Sequence, residues 1–446
     1  MQTLEQLRSG ELVGAQRLRL SCGLQDFPPE IFGLAETLEI LDLSGNALTA
    51  LPDDLPRLHK LRIIFCSENR FTQLPEVLGQ CQQLSMIGFK ANQIQTVSGA
   101  ALPPALRWLI LTDNQIDSLP AEIGRCSQLQ KLMLAGNRLT GLPAEMAACT
   151  RLELLRIAAN RFAELPNWLL ALPRLSWLAY AGNPFCAELE RAALQESPLA
   201  RIAWNTLQLQ HKLGEGASGV IHHADWQRGD NQHAVAVKLF KGAMTSDGLP
   251  HSEMAACISA GAHPNLIAVH GKIEAHPTGD QGLVMALVDH AFANLAGPPS
   301  LHSCTRDIYP AEARFTLAAA IRIAHGIAAA AEHLHAQGIM HGDLYGHNIL
   351  HGEAGQALLG DFGAASFYAE ADQPGAEALQ RLEVRAFACL LEELLARCEL
   401  PAGAEPALKI LANLQIRCGQ EISAARPLFA EIVLVLAGLQ SQGAAN

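Results

Sequence analysis

Asparagine recurs through the first half of the chain at Asn46, Asn69, Asn92, Asn114, Asn137, Asn160 and Asn183, with gaps of 23, 23, 22, 23, 23 and 23 residues. A unit this short cannot enclose a core of its own. Each has to bury its apolar side chains against its neighbours, so the period predicts a stacked solenoid. Around each Asn runs L-x-x-L-x-L-x-x-N-x-L, as at Leu129, Leu132, Leu134, Asn137 and Leu139. Five units continue into Leu-Pro, at Leu51-Pro52, Leu74-Pro75, Leu119-Pro120, Leu142-Pro143 and Leu165-Pro166. A shortened first unit has Leu18, Leu20 and Leu24, with Cys22 in the Asn column. That gives eight repeats, the first and last acting as caps. A short amide that both donates and accepts can satisfy turn backbone, so the Asn column is expected to be structural.

The pattern resembles that of leucine-rich repeat proteins over about residues 15–186. The resemblance implies an N-terminal α/β solenoid with parallel strands on its concave face. The non-leucine strand positions there include Phe65, Met86, Trp108, Ile110, Met133 and Trp177. An open face so apolar is expected to be a contact surface, since exposed apolar patches generally bind something. Its occupant is either a protein partner or the chain's own second half. The expected division is a repeat domain at 1–186, a cap and linker at 187–204, and a second domain at 205–446. Within the linker, Glu188–Gln195 reads as a helix broken by Pro198.

At 446 residues the chain suits two domains. Its 49% hydrophobic and 17% charged content argues against wholesale disorder. The net charge of −12, without a Lys or Arg block, lacks a nucleic-acid footprint. The eleven cysteines include no C-x-x-C pair and are odd in number. Reduced thiols in a cytosolic protein are therefore expected, with no zinc site. The N-terminus has no basic start leading into an apolar stretch, and the run near Ile432–Leu439 reads as too short to span a bilayer. A cytoplasmic location without a membrane span is the expectation.

From Leu207 the leucine period vanishes. Leu213-Gly214-Glu215-Gly216-Ala217-Ser218-Gly219-Val220, followed by Ile221, gives G-x-G-x-x-G-x-V between two strand-like runs. Such glycines let backbone amides close over phosphates. Val235-Ala236-Val237-Lys238 is an alternating strand with one lysine, able to grip phosphates. Glu253 is the only glutamate between Lys238 and Glu274, in the helical stretch 252–260, and is the expected partner of that lysine. Further on, His341–Asn348 reads HGDLYGHN, and Asp361-Phe362-Gly363 follows thirteen residues later. Phosphoryl transfer needs a carboxylate to orient the acceptor hydroxyl and oxygen ligands for magnesium beside the phosphates.

Together these motifs resemble a protein kinase catalytic domain of an atypical, bacterial type, which implies a C-terminal α+β bilobal fold using ATP and Mg2+. His263-Pro264-Asn265-Leu266, the helical run 314–337, Glu383–Phe387 and Arg426-Pro427 match further family landmarks. The resemblance implies that Asp343 orients the acceptor hydroxyl and receives its proton. Asn348 and Asp361 hold magnesium, and Lys238, fixed by Glu253, places the nucleotide. The glycine loop from Leu213 to Ile221 covers the phosphates. Ala236, Met285 as gatekeeper and Val288 at the hinge backbone contact the rest of the nucleotide. His341 is expected to pack under Phe362, and His333, His335 and His347 to lie at the surface.

Three departures stand out. Gly342 replaces the arginine that usually precedes the catalytic aspartate, which argues against a phosphorylation switch. Tyr345 stands where serine/threonine kinases carry a lysine. The segment from Asp361 to Glu383 is short and lacks Ala-Pro-Glu, with Tyr368-Ala369-Glu370 as the nearest remnant and Glu370 a candidate partner of Arg426. A serine/threonine protein kinase guided by its repeats is the primary expectation. A pseudokinase scaffold and an aminoglycoside- or choline-type phosphotransferase remain alternatives, the latter because it shares the H-G-D form.

Overall fold

The structure is a computed structural model and describes residues 2–195, 199–216, 218–242, 244–245, 247–369, 373–399, 403 and 405–444. It divides into two compact units, Met1–Arg174 and Leu175–Asn446. The division falls inside the last repeat.

The first unit opens with helix α1 (Leu4–Arg8). Strands β1 (Arg17–Arg19), β2 (Ile40–Asp42), β3 (Ile63–Phe65), β4 (Met86–Gly88), β5 (Trp108–Ile110), β6 (Lys131–Met133) and β7 (Leu154–Arg156) follow at the repeat period. With β8 (Trp177–Ala179) they make one eight-stranded parallel sheet in chain order. Three-residue 3₁₀ turns or slightly longer ones, such as Glu76–Gln80 and Ala121–Arg125, form the opposite side. Pro75 and Pro120 enter them with φ of −61° and −71°. Proline holds that φ without strain, which explains the Leu-Pro ends of the units. The pattern leucines Leu41, Leu43, Leu109, Leu111, Leu132 and Leu134 are fully buried.

The Asn column is structural. Asn114 Nδ2 donates to the carbonyls of Phe89 in the preceding repeat (2.9 Å) and Leu111 in its own (3.0 Å), while its Oδ1 accepts from the Ile94 amide (3.0 Å). Asn69, Asn92, Asn137 and Asn160 repeat this stitch. The residue just before each Asn has positive φ, whether glycine (Gly45, Gly136) or not (Glu68 54°, Ala91 53°, Asp113 59°, Ala159 51°). The sequence pattern gave no signal of that constraint at the non-glycine positions.

In the second unit, helix α2 (Ala187–Gln195) covers the stretch read as helical, and strand β9 (Ala200–Ala203), not expected from the sequence, follows it. Pro198 lies outside the described residues. Strand β9 pairs in parallel with β13 (Val269–Glu274). The sheet contains β10 (Leu207–Glu215), β11 (Gly219–Arg228), β12 (Asn231–Phe240) and β14 (Gly282–Ala286) as well. Its order is β10-β11-β12-β14-β13-β9. One face buries Ile202, Leu207, Val235, Val237, Ile273 and Val284. The other buries Phe240 and Leu283 against Met254 and Ile258 of helix α3 (Pro250–Ser259), with Leu194 and Leu199 packed alongside.

The remainder is mainly helical, with short strands in one three-stranded and two two-stranded sheets. Helix α4 (Leu317–Ala336) buries Ile323, Ala324, Ile327, Ala331 and Leu334. Helices α5 (Gln373–Leu395), α6 (Glu405–Cys418) and α7 (Phe429–Ala444) complete it. The stretch Ser423–Ser441 has 19 residues and a mean hydropathy of 1.3, enough by length and composition to cross a membrane, which corrects the shorter span read from sequence. Phe429, Ile432, Leu436 and Leu439 on α7 are buried in the fold, at the i, i+3, i+4 spacing of a packed helix face. All eleven cysteines are free thiols, most of them buried.

Candidate functional site

The cleft assembles from the loop before β11, from β11, β12, β13, β14 and α3, and from the loop that carries Asp361. The alternating strand β12 sends Lys238 to the side opposite Val235 and Val237. Its neighbours in register are Ile221 on β11 and Leu283 on β14. From there the Lys238 ammonium reaches the Glu253 carboxylate on α3 as an ion pair and hydrogen bond. Both side chains are nearly sealed, at 8% and 2% exposure. Burial alone would lower the lysine pKa, but the Glu253 and Asp361 carboxylates hold it above its usual value. The lysine is therefore a fixed cation at the back of the cleft.

The glycine loop joins β10 to β11, with the Gly216 amide donating to the Gly219 carbonyl (2.9 Å). A Cβ on Gly219 would meet the Leu239 carbonyl oxygen at 2.5 Å, so only glycine fits there. Gly216, Ser218, Gly219, Ile221, Lys238, Met285 and Asp361 all line the cleft cavity. Leu213, Gly214, Glu215, Val220, Ala236 and Val288 do not line it. Glu215 turns instead to Lys212 (2.9 Å) and Lys241 (2.6 Å), whose hydrogen bonds pull its pKa down to about 2. Leu213 is exposed. Ala236 is buried in the strand opposite Met285, and Val288 follows the end of β14. Ala217 lies outside the described residues.

The catalytic loop is held by buried groups. Glu383 on α5 is 1% exposed and accepts from the amides of Gly342 (2.7 Å) and His341 (3.3 Å) and from His335 Nε2 (2.8 Å). Burial alone would raise its pKa; His335, His341 and the Gly342 amide hold it below the usual value. His341 is fully buried against the Phe362 ring, with centroids 5.2 Å apart, and donates from Nε2 to the Gly360 carbonyl (2.8 Å). That matches the structural role expected of it.

Of the other histidines, His335 is buried, which corrects the surface expectation for it, while His333 and His347 are half-buried. His335 is buried on Glu383, His347 Nδ1 lies 2.7 Å from Asp307 Oδ1, and His333 Nε2 meets the Ala260 carbonyl at 2.7 Å. Burial alone would lower the His347 pKa, but the Asp307 carboxylate raises it above normal. Helical and loop periodicity showed no carboxylate partners for His335 and His347, because those partners are 40 or more residues away.

Asn348 Nδ2 donates to both the backbone carbonyl (2.9 Å) and Oδ2 (2.8 Å) of Asp343, which fixes the carboxylate. The Asn348 carbonyl in turn accepts from Gly360, next to Asp361 (2.9 Å). Asp361 sits at φ 52° with Oδ1 accepting from the Gly363 amide (3.1 Å). Asp361 lines the cavity, whereas Asn348 and Asp343 do not. By donor type a carboxylate and an amide oxygen suit magnesium, a hard cation that takes oxygen ligands and completes its shell from phosphates and water.

Cys257, one helical turn beyond Glu253, also lines the cavity, and burial pushes its thiol pKa up. The i, i+4 spacing on α3 was the signal that would have found it. Glu370 lies outside the described residues; Arg426 Nε donates to the Gln420 carbonyl (2.8 Å) and Nη1 to that of Arg381 (3.1 Å).

Of the six expected contact residues on the strand face, none is exposed. Met86 and Met133 are buried at 2% and 8%, Trp177 at 1%, and Phe65, Trp108 and Ile110 are half-buried. The register sets Ile63, Met86, Trp108 and Lys131 in one row, and Phe65, Gly88, Ile110 and Met133 in the next. At sheet spacing such neighbours cover one another. Phe65 leans over Gly88, and the Lys131 ammonium sits 4.3 Å from the Trp108 ring centroid. Trp177 stacks on Tyr345, with ring centroids 4.2 Å apart and planes within 7°, and its Nε1–H donates to the Leu344 carbonyl (3.1 Å). It is part of the catalytic loop's packing.

Residues 207–389 match the family model of protein tyrosine and serine/threonine kinases. Residues 104–162 and 37–58 match models of leucine-rich repeats. A probable serine/threonine-protein kinase of Arabidopsis thaliana is 30% identical over 108 residues, 24% of this chain and 13% of that protein. Human cyclin-dependent kinase 11A is 27% identical over 163 residues, 36% of this chain and 19% of that protein. The mouse leucine-rich repeat and calponin homology domain-containing protein 1 is 31% identical over 91 residues, 20% of this chain and 13% of that protein. The chain thus spans less than a fifth of the length of these relatives. It carries leucine-rich repeats followed by a protein kinase domain.

Proposed function

We propose that the chain is an ATP-dependent protein kinase of serine/threonine specificity, of an atypical, bacterial type, working in the cytoplasm. The observation that carries this is the pairing of Lys238 with Glu253 in a cavity that Asp361 also lines, together with the hold of Asn348 on Asp343. A pseudokinase lacking one of these groups would need no such alignment. Bound MgATP supplies the phosphoryl group and the charge neutralisation. Lys238 would hold the α- and β-phosphates, and Asn348 and Asp361 the metal. Asp343, oriented by Asn348, would position the acceptor hydroxyl and take its proton as the bond to phosphorus forms, with ADP leaving. In a loose transition state this positioning matters more than basicity.

Gly342 and Tyr345 support the atypical reading, because neither supplies the positive charge usual at those positions. The repeats are proposed to hold a protein substrate or regulator. The test is label transfer from γ-labelled ATP to the protein and to a generic basic protein, with Asp343→Ala as control. At least a hundredfold loss in the variant is expected, in line with removal of a general base. Equal transfer by both proteins rejects the kinase, and transfer to an amino sugar or choline alone favours the small-molecule reading.

A further inference from the structure

The stretch from Trp177 to Glu190 touches both halves of the catalytic machinery. At one end, Trp177 holds the Leu344 carbonyl and stacks on Tyr345, both within two residues of Asp343. Next, the amides of Tyr180 and Ala181 donate to Ser366 Oγ (3.0 and 3.1 Å), in the segment after Asp361-Phe362-Gly363. At the other end, Glu190 on α2 is 4% exposed. Its Oε1 accepts from the Gly182 amide (2.7 Å), and its Oε2 accepts from the hydroxyl of Ser252 (2.8 Å). Ser252 is itself 2% exposed and immediately precedes Glu253 on α3.

A buried carboxylate is costly unless its hydrogen bonds are met, and here both oxygens are met by groups whose positions bear on catalysis. Removing it would leave the Gly182 amide and the Ser252 hydroxyl without this acceptor.

We propose that residues 177–190 are an internal brace that holds α3 and the catalytic loop in their aligned arrangement, with Glu190 as the positioning residue for the Lys238–Glu253 pair. The brace does what a phosphorylated loop paired with an arginine does elsewhere, and it stands in a chain whose Gly342 cannot make such a pair. The proposal rests on the phosphotransferase reading only for its consequence in nucleotide binding. Its structural part concerns α3 alone.

The test uses the full chain and two readouts: hydrogen exchange of the α3 amides and equilibrium titration of MgATP. Glu190→Ala and Ser252→Ala are expected to speed exchange across Pro250–Ser259 and to weaken MgATP about tenfold, the scale of one lost charged hydrogen bond. Glu190→Gln is expected to restore most of both, because a carboxamide can accept from Gly182 and donate to Ser252. Combined with Lys238→Met, Glu190→Ala should weaken MgATP no further, since the two act as one unit.

Unchanged α3 exchange in both Glu190→Ala and Ser252→Ala overturns the brace, as does a full additive loss on top of Lys238→Met. Faster α3 exchange in a protein whose wild type binds no MgATP leaves the brace standing and removes the phosphotransferase reading instead. Should Glu190→Ala fail to fold, Ser252→Ala deletes only the hydroxyl and carries the same outcomes.

Discussion

Gly342 has φ 72°, and a Cβ there would lie 2.5 Å from the Ala364 carbonyl oxygen and 2.7 Å from that of Leu178. From sequence it read as a missing arginine; in the fold it is the residue that lets two backbones pass the catalytic loop. Glycine is required on two counts, since an L side chain is strained at that φ and collides with fixed carbonyls. Gly342→Arg is expected to destabilise the protein by about 2–4 kcal/mol, from left-handed strain plus overpacking. Denaturant unfolding of the variant checks this, and a midpoint equal to wild type would sink the steric account. Tyr345 has a parallel history. Read as the loss of a lysine, it proves to be one half of a stack with Trp177, and offset aromatic pairs add about 0.5–1.5 kcal/mol beyond their burial.

At the scale of elements, the repeats were legible because their constraint is local. A leucine that must be buried and an asparagine that must stitch two turns recur at one spacing, and the spacing is written in the chain. The short segment between repeats and glycine loop was not legible in that way. Helix α2 offers few apolar residues and β9 only four residues, so neither signals its packing. Their partners, α3 and β13, lie about 60 and 70 residues away. A fragment starting at Asn205 loses β8, α2 and β9, together with Leu194, Leu199 and Ile202 from the packed faces of the sheet. It also bares the edge of β13, which invites association. Compared with the fragment 175–446, it is expected to unfold at lower denaturant by about 2–5 kcal/mol, the cost of core-residue loss. Identical midpoints would show that the linker elements contribute nothing to the fold.

For the whole molecule, the proposed partner surface stays with the repeats. Trp108 is the half-buried aromatic of its row and carries a lysine over its face, the composition of an interaction anchor. Trp108→Ala is expected to cost about tenfold or more in affinity for a substrate protein identified by label transfer, measured by titration against the full chain. Undiminished affinity would move the site off this face. Trp177, in the same column by sequence, is excluded as a contact residue by its burial under Tyr345.

The sequence alone determined the repeat architecture and the kinase domain, and it singled out Lys238, Glu253, Asp343, Asn348 and Asp361 as the residues proposed for the site. Each rests on residues a few positions apart or on a fixed period, and short-range spacing survives in a one-dimensional string. Only the tertiary structure decided which loop residues face the cleft, what holds His335 and His347, why position 342 is glycine, and that residues 177–190 contact the catalytic loop and α3. Those answers depend on contacts between residues distant in the chain, from Gly342 against Ala364 to Tyr180 against Ser366, and on side-chain direction, neither of which leaves a periodic trace in the chain.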